Sequence, residues 1–304
     1  MTTGRRLRAA LLLTVTITAV AACARDERPA DDGAGARPPG AHTYRIDTDE
    51  GPREYRLYRP ADLDRSPALV VMLHGGGGSA RQAERAYGWD DVADREGVLV
   101  AYPDGVGRTW NAGGGCCGQA ARDDVDDVGF LLALIDELVT ADDVDPARIY
   151  VTGMSNGAML SYALACSTGV VAAIAPVAGT MLADCPSPGP VSVLHIHGSA
   201  DDNVRFDGGL GAGAGRIDGP PVPSVIEQWR AVDGCTPPTV TTVGAVQNSV
   251  SYCAEGREVQ LTTVEGAGHQ WPGSDVVRDS ADPPSAQLDA TETIWRFFEA
   301  NPRP

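Results

Sequence analysis

Arg148–Ala165 reads RIYVTGMSNGAMLSYALA. After Arg148, Ile149–Thr152 form a β-branched and aromatic run, as a buried strand requires, and Asn156–Ala165 has the composition of a helix. Between them stands Gly153-Met154-Ser155-Asn156-Gly157. A strand that turns into a helix within so few residues has no room for a Cβ on either side of the turn. Glycines flanking a serine therefore predict a sharp elbow that lifts the Ser155 hydroxyl above a sheet and aims a helix N-terminus at it.

Strands and helices alternate on both sides of the elbow. Thr43–Asp47 and Glu54–Arg59 read as a hairpin turned at Asp49–Pro52. Buried strands are predicted at Ala68–Leu73, Val98–Tyr102, Arg148–Thr152, Val171–Val177 and Val191–Ile196, with a further strand at Glu258–Thr263. Helices are predicted at Ala80–Arg95, Val125–Val139, Asn156–Ala165, Val222–Ala231 and Ala286–Glu299. This order implies an α/β fold with a mainly parallel sheet and helices on both faces. In such sheets chemistry belongs just beyond the carboxyl ends of the strands.

A serine hydroxyl needs a base, and the base needs a third group to orient it. After a strand–elbow–helix unit the chain order is serine, acid, histidine. Three histidines follow Ser155: His195, His197 and His269. The first two lie in an apolar strand before any acid loop and read as structural. His269 lies in GAGHQWPG (266–273), after a strand, and is the candidate base. The acid comes from His197–Val204, where Asp201 and Asp202 compete; Asp201 is preferred because Val204, three residues on, can pack the loop back. Two backbone amides should hold a developing oxyanion: Asn156 at the start of the elbow helix, and Gly76 within HGGGG (74–78). That glycine run is not a phosphate loop, since no Gly-Lys-Ser/Thr follows and the chain has no lysine.

The chain has 304 residues and a net charge of -17, with 43% hydrophobic residues. One large domain fits this length. An acidic surface repels phosphate backbones and anionic lipid, so nucleic acid is not an expected partner. Arg5, Arg6 and Arg8 precede an apolar stretch, Ala9–Ala22, too short for a comfortable membrane span. It ends VAAC, which looks like a bacterial lipobox with Cys23 as the acylated residue. The expected organisation is a signal peptide (1–22), a disordered tether (23–41) and one catalytic domain (42–304), with lipid at Cys23 the only membrane attachment and the cell envelope or exterior the location. Six cysteines remain: Cys116, Cys117, Cys166, Cys185, Cys235 and Cys253. Outside the cytoplasm an even set reads as disulfides. Short closures favour Cys166–Cys185 and Cys235–Cys253; Cys116 and Cys117 then pair with each other, or one of them breaks a proposed pair. No Cys/His spacing indicates zinc, and no metal or cofactor is expected.

LVVMLHGGGG, TWNAGGGCCG, DVDDVGFLLALIDEL, DPARIYVTGMSNGAM, HIHGSADDNV and GHQWPG occur in this order between residues 69 and 273. As a set they resemble the exported poly(3-hydroxybutyrate) depolymerase and feruloyl esterase family, of carbohydrate-esterase-type α/β-hydrolases. The resemblance runs from about Tyr44 to the C-terminus. It implies an α/β-hydrolase fold and a serine esterase with Ser155 as nucleophile, Asp201 as acid and His269 as base. It places an oxyanion amide at Gly76 and has Trp110, Asn111 and Trp271 line the substrate cleft. The implied substrates are hydroxyalkanoate oligomers or feruloyl and acetyl esters of polysaccharides. A peptidase or acyltransferase on the same scaffold, or a catalytically silent envelope-binding lipoprotein, are the rival readings. The Gly-rich segment Asp207–Pro221 is a departure from the family pattern.

Overall fold

The computed structural model describes Met1, residues 37–274 and residues 282–304. The expected signal peptide, the acylation site Cys23 and the tether up to residue 36 lie outside the described residues.

The first strands are β1 (Gly40–Thr48) and β2 (Gly51–Arg59), a hairpin running from the pair Gly40↔Arg59 to Thr48↔Gly51. Strand β1 thus starts before residue 42, inside the expected tether. Arg37 anchors that end through ion pairs with Glu137 and Asp142, so the last residues of the presumed tether belong to the domain.

The remaining strands are β3 (Leu69–Leu73), β4 (Leu99–Pro103), β5 (Ile149–Met154), β6 (Ala173–Val177), β7 (Ser192–Gly198), β8 (Gly209–Leu210), β9 (Asp218–Gly219), β10 (Thr239–Val243), β11 (Val246–Tyr252) and β12 (Glu258–Val264). The helices are α1 (Ala80–Ala86), α2 (Trp89–Glu96), α3 (Gly118–Arg122), α4 (Asp127–Ala141), α5 (Asn156–Ser167), α6 (Val222–Val232) and α7 (Ala290–Ala300). Ten strands form one sheet in the order β1-β2-β4-β3-β5-β6-β7-β12-β11-β10. It is parallel from β4 through β12 and antiparallel at both ends.

Strand β3 shows why the central strands read as continuous apolar runs. Leu69, Val71 and Leu73 pack into a core shared with α4, α5 and α6, while Val70 and Met72 pack into a second core with α1, α2 and α7. Helices cover both faces, so no residue of the strand can afford a polar side chain. Burying one Leu or Val side chain contributes on the order of 2 kcal/mol.

Several elements differ from their sequence expectation, among them the following. The helix expected over Ala80–Arg95 is two helices, broken at Tyr87-Gly88, where Gly88 takes φ +69. The closing helix starts at Ala290, capped by the Asp289 side chain on the Glu292 amide, rather than at Ala286. The β10–β11 hairpin was not expected: β10 is exposed along its whole length, so no buried face imprints an alternation on its sequence.

The disulfides are Cys166–Cys185, Cys235–Cys253 and Cys116–Cys117. Asp207–Pro221 folds into the short β8–β9 ribbon, held to the body by Val222 N–H donating to the Phe206 carbonyl and Thr180 Oγ1 donating to the Pro220 carbonyl.

Candidate active site

Ser155 sits between β5 and α5 with φ 54 and ψ −115, a conformation that costs a non-glycine residue about 1–3 kcal/mol. Its neighbours enforce it. A Cβ on Gly153 would lie 2.6 Å from the carbonyl carbon of Gly157, and one on Gly157 would lie 2.5 Å from the carbonyl oxygen of Leu73. The Ser155 amide donates to the carbonyl of Val177 on β6 at 2.9 Å, tying the bend to the next strand.

The acid and the base reach Ser155 from two parallel neighbours. Strands β7 and β12 are paired up to Gly198↔Val264, so the loops that follow them leave the same end of the sheet side by side. They are stitched together: Ser199 N–H donates to the Val264 carbonyl and Ala200 N–H to the Ala267 carbonyl, each at 3.0 Å. Gly198 permits this approach, since a Cβ there would stand 2.2 Å from the Ala267 oxygen.

Asp201 is buried; its Oδ1 accepts the amides of Asn203 and Val204, both at 2.9 Å. Its Oδ2 lies 2.7 Å from His269 Nδ1, and His269 Nε2 lies 2.9 Å from Ser155 Oγ. A carboxylate only accepts, so Nδ1 carries the proton and Nε2 offers its lone pair to the serine hydroxyl. The backbone of His269 is fixed separately, by its N–H donating to Asp282 Oδ2 at 2.6 Å. Val204 is buried as expected, and Asp202 is exposed. Three loops expected to converge therefore do so, with Asp201 rather than Asp202 in the line.

On the other side of Ser155 stands the loop after β3. The amides of Gly77 and Gly78 donate to the carbonyls of Arg108 and Gly75. Gly76 faces the elbow helix: a Cβ built on it would be 3.8 Å from Asn156 Cβ. The two residues expected to supply oxyanion amides are thus adjacent, and the amide of Asn156 belongs to the first turn of α5, where the helix leaves N–H groups without intrahelical partners.

Of the three expected cleft residues, Trp110 and Trp271 are buried and Asn111 is half-buried. Trp110 is fully buried; its indole N–H donates to the carbonyl of His74 at 2.8 Å, and its ring packs on the His74 imidazole. Its backbone is clamped by the Asn156 side chain, which accepts from Trp110 N–H at 2.7 Å and donates to the Trp110 carbonyl at 3.0 Å. Trp271, 2% exposed, stacks on Tyr87 and donates to Thr291. The Asn111 amide binds Asp124 and the Val125 carbonyl, bracing the entry to α4. A motif aromatic close to a catalytic residue in sequence can point into the core as readily as into the cleft; here the tryptophans brace the walls from behind.

His195 and His197 are buried beneath the acid loop. Burial holds the His195 imidazole well below its ordinary pKa, with His197 adding to the effect. Burial also lowers His197, partly offset by the Asp201 charge and the Val204 carbonyl. In both rings burial favours the neutral form.

Residues 53–227 match the family model described as Esterase PHB depolymerase. "Putative esterase NocK" of Nocardia uniformis subsp. tsuyamanensis is 35% identical over 73% of this chain and 71% of its own length. Feruloyl esterase B of Piromyces equi is 32% identical over 68% of this chain, which spans only 40% of that longer protein. Among solved structures, an acetyl xylan esterase from Aspergillus awamori superposes with a TM-score of 0.60 at 14% identity, over 85% of this chain and 99% of that one; this likeness is one of α/β-hydrolase fold.

Proposed function

The chain belongs to the esterase PHB depolymerase family and is a carboxylic ester hydrolase, and on that premise we propose that it works by acyl transfer through Ser155, His269 and Asp201. The hydrogen-bonded line from Ser155 Oγ through His269 to Asp201 carries this reading. His269 Nε2 takes the hydroxyl proton as Oγ bonds to the ester carbonyl carbon. The amides of Gly76 and Asn156 hold the resulting oxyanion; losing one such donor typically costs about 10²- to 10³-fold in rate. Asp201 stabilises the imidazolium, which then passes its proton to the departing alkoxide. Water, deprotonated by the same imidazole, cleaves the acyl-serine ester, and the serine recovers its proton.

The substrates we propose are hydroxyalkanoate oligomers or feruloyl and acetyl esters of polysaccharides. The support is the names carried by relatives, feruloyl esterases B and C among them. The three disulfides are those of a protein exposed to an oxidising compartment. Anchoring through a lipid on Cys23, after a signal peptide, is the corresponding proposal for location.

Hydrolysis of 3-hydroxybutyrate oligomers, feruloyl esters and acetylated xylan, run in parallel, tests the substrate class: turnover of one or more supports it. Inertness toward all three, with cleavage of a peptide anilide, contradicts it. Asp201→Asn should reduce turnover by about 10⁴-fold, as making the acid of such a triad an amide does elsewhere. Asp202→Asn should leave it within a few-fold, and the reverse ranking would move the acid to Asp202.

A further inference from the structure

Beneath the acid loop, three buried side chains stand in series. The Tyr162 hydroxyl on α5 is 2.7 Å from His195 Nδ1; His195 Nε2 is 2.9 Å from His197 Nδ1; His197 Nε2 is 2.8 Å from the Val204 carbonyl oxygen and 3.4 Å from Asp201 Oδ2. Tyr162, His195 and His197 are at most 1% exposed. The histidines, two apart on β7, share one face, and their rings lie 5.2 Å apart and nearly coplanar in orientation, at 11°.

The end of the series fixes every proton in it. A carbonyl can only accept, so His197 Nε2 carries a hydrogen. A neutral His197 then accepts at Nδ1, which obliges His195 to donate from Nε2. His195 Nδ1 in turn accepts from the tyrosine O–H. All three donors point the same way, and the positive end of the aligned dipoles meets the carboxylate oxygen that receives His269. Aligned hydrogen bonds of this kind polarise one another. Core filling alone does not call for them: the same face of β7 carries Val193, which packs with no polar group.

We propose that His197, backed by His195 and Tyr162, is a positioning residue for Asp201: it tethers the acid loop at Val204 and presents a partial positive charge to Oδ2, the oxygen that meets His269 Nδ1. The proposal rests on the reading of Ser155, His269 and Asp201 given above. The titratable groups facing this assembly are Asp201 and exposed Asp202 on the acid loop, His269 and Asp282 on the opposite side, Ser155 at the elbow, and the three members of the series.

Removing the His197 N–H leaves the Asp201 charge less compensated, so the His269 imidazolium is held more tightly. Activity needs neutral His269, so the acid limb of kcat/KM moves to higher pH. The test is the pH profile of p-nitrophenyl acetate hydrolysis for wild type, His197→Leu, His197→Gln and Tyr162→Phe. Each is normalised to active sites titrated with a fluorophosphonate. His197→Leu should move the acid limb upward by about half a pH unit and lower kcat severalfold. Tyr162→Phe should move it less in the same direction, and His197→Gln, whose amide supplies an N–H, should bring it back toward wild type. An unmoved limb in His197→Leu, with kcat per active site unchanged, overturns the proposal. If that variant does not fold, the shape-preserving Tyr162→Phe decides on the same criterion. A wild-type enzyme that takes no label at Ser155 and shows no acid limb would remove the underlying triad, a failure distinct from an unmoved limb in a labelled enzyme.

Discussion

The Asn156 side chain grips the backbone of Trp110 at two points, its Oδ1 receiving the Trp110 amide at 2.7 Å and its Nδ2 donating to the Trp110 carbonyl at 3.0 Å. The residue after the nucleophile thereby holds the strut on which the His74–Gly78 loop rests, since the Trp110 indole bonds the His74 carbonyl. This contact links the residue carrying one proposed oxyanion amide to the loop carrying the other.

Asn156→Leu strands the Trp110 amide in the core, at about 1–3 kcal/mol for an unsatisfied group, while the Trp110 carbonyl keeps the Cys117 N–H at 2.9 Å. The expected result is a lowered Tm together with a kcat loss of about 10-fold or more per folded enzyme, because the oxyanion loop loses its register. Thermal melting and active-site-titrated kinetics check it. A stability loss with unchanged kcat would separate the clamp from catalysis.

The glycines around the site are not equivalent. A Cβ on Gly76 meets Asn156 Cβ at 3.8 Å, an ordinary contact, whereas one on Gly157 would lie 2.5 Å from the Leu73 carbonyl oxygen. Gly76→Ala should fold with nearly wild-type Tm and retain activity within about 10-fold. Gly157→Ala should force β3 and α5 apart and lose both, with a cost in the range of about 1–3 kcal/mol seen for overpacked cores. Equal tolerance at the two positions would contradict this description of the elbow.

Burial, chiefly, raises Asp90 to about 7; the hydrogen bond from Tyr102 opposes the rise, and the charges of Glu84, Asp91 and Asp94 add to it. Unfolded, the group titrates at its ordinary 3.8. Between these values the folded chain holds a proton the unfolded chain has released, so this contribution to stability is complete below about pH 4 and is lost as pH rises through 7. Asp90→Asn keeps an acceptor for Tyr102 and removes the titration. Its Tm relative to wild type should therefore rise between pH 4 and pH 8. Histidine contributions are common to both proteins and cancel in the difference. Parallel Tm curves would show that Asp90 does not titrate this way.

The elbow was legible because it is local, and the triad because its members follow a fixed chain order. Flanking glycines answer to backbone sterics within five residues, and His269 was the one histidine late enough in the chain. The direction of a large side chain is not local. Trp110 and Trp271 sit in motifs beside the site, yet only the packing of His74 and Tyr87 against them shows that they face inward. The break at Gly88 and the exposed β10 escaped for related reasons, one being a single positive φ inside a good helical pattern and the other a strand without a buried face. The alignment of His195 and His197 beneath Asp201 depends on a tyrosine from another element, which no spacing along β7 reveals.

The central claim is that the hydroxyl perched between β5 and α5 is the group that is acylated. Incubation with a fluorophosphonate, followed by peptide mass mapping and p-nitrophenyl acetate kinetics on wild type and Ser155→Ala, addresses it directly. The account predicts a single adduct on Ser155, and a variant that keeps its Tm, takes no label and has lost at least about 10³-fold in kcat. An adduct on another residue, or a folded Ser155→Ala protein that still turns over the ester, would contradict it.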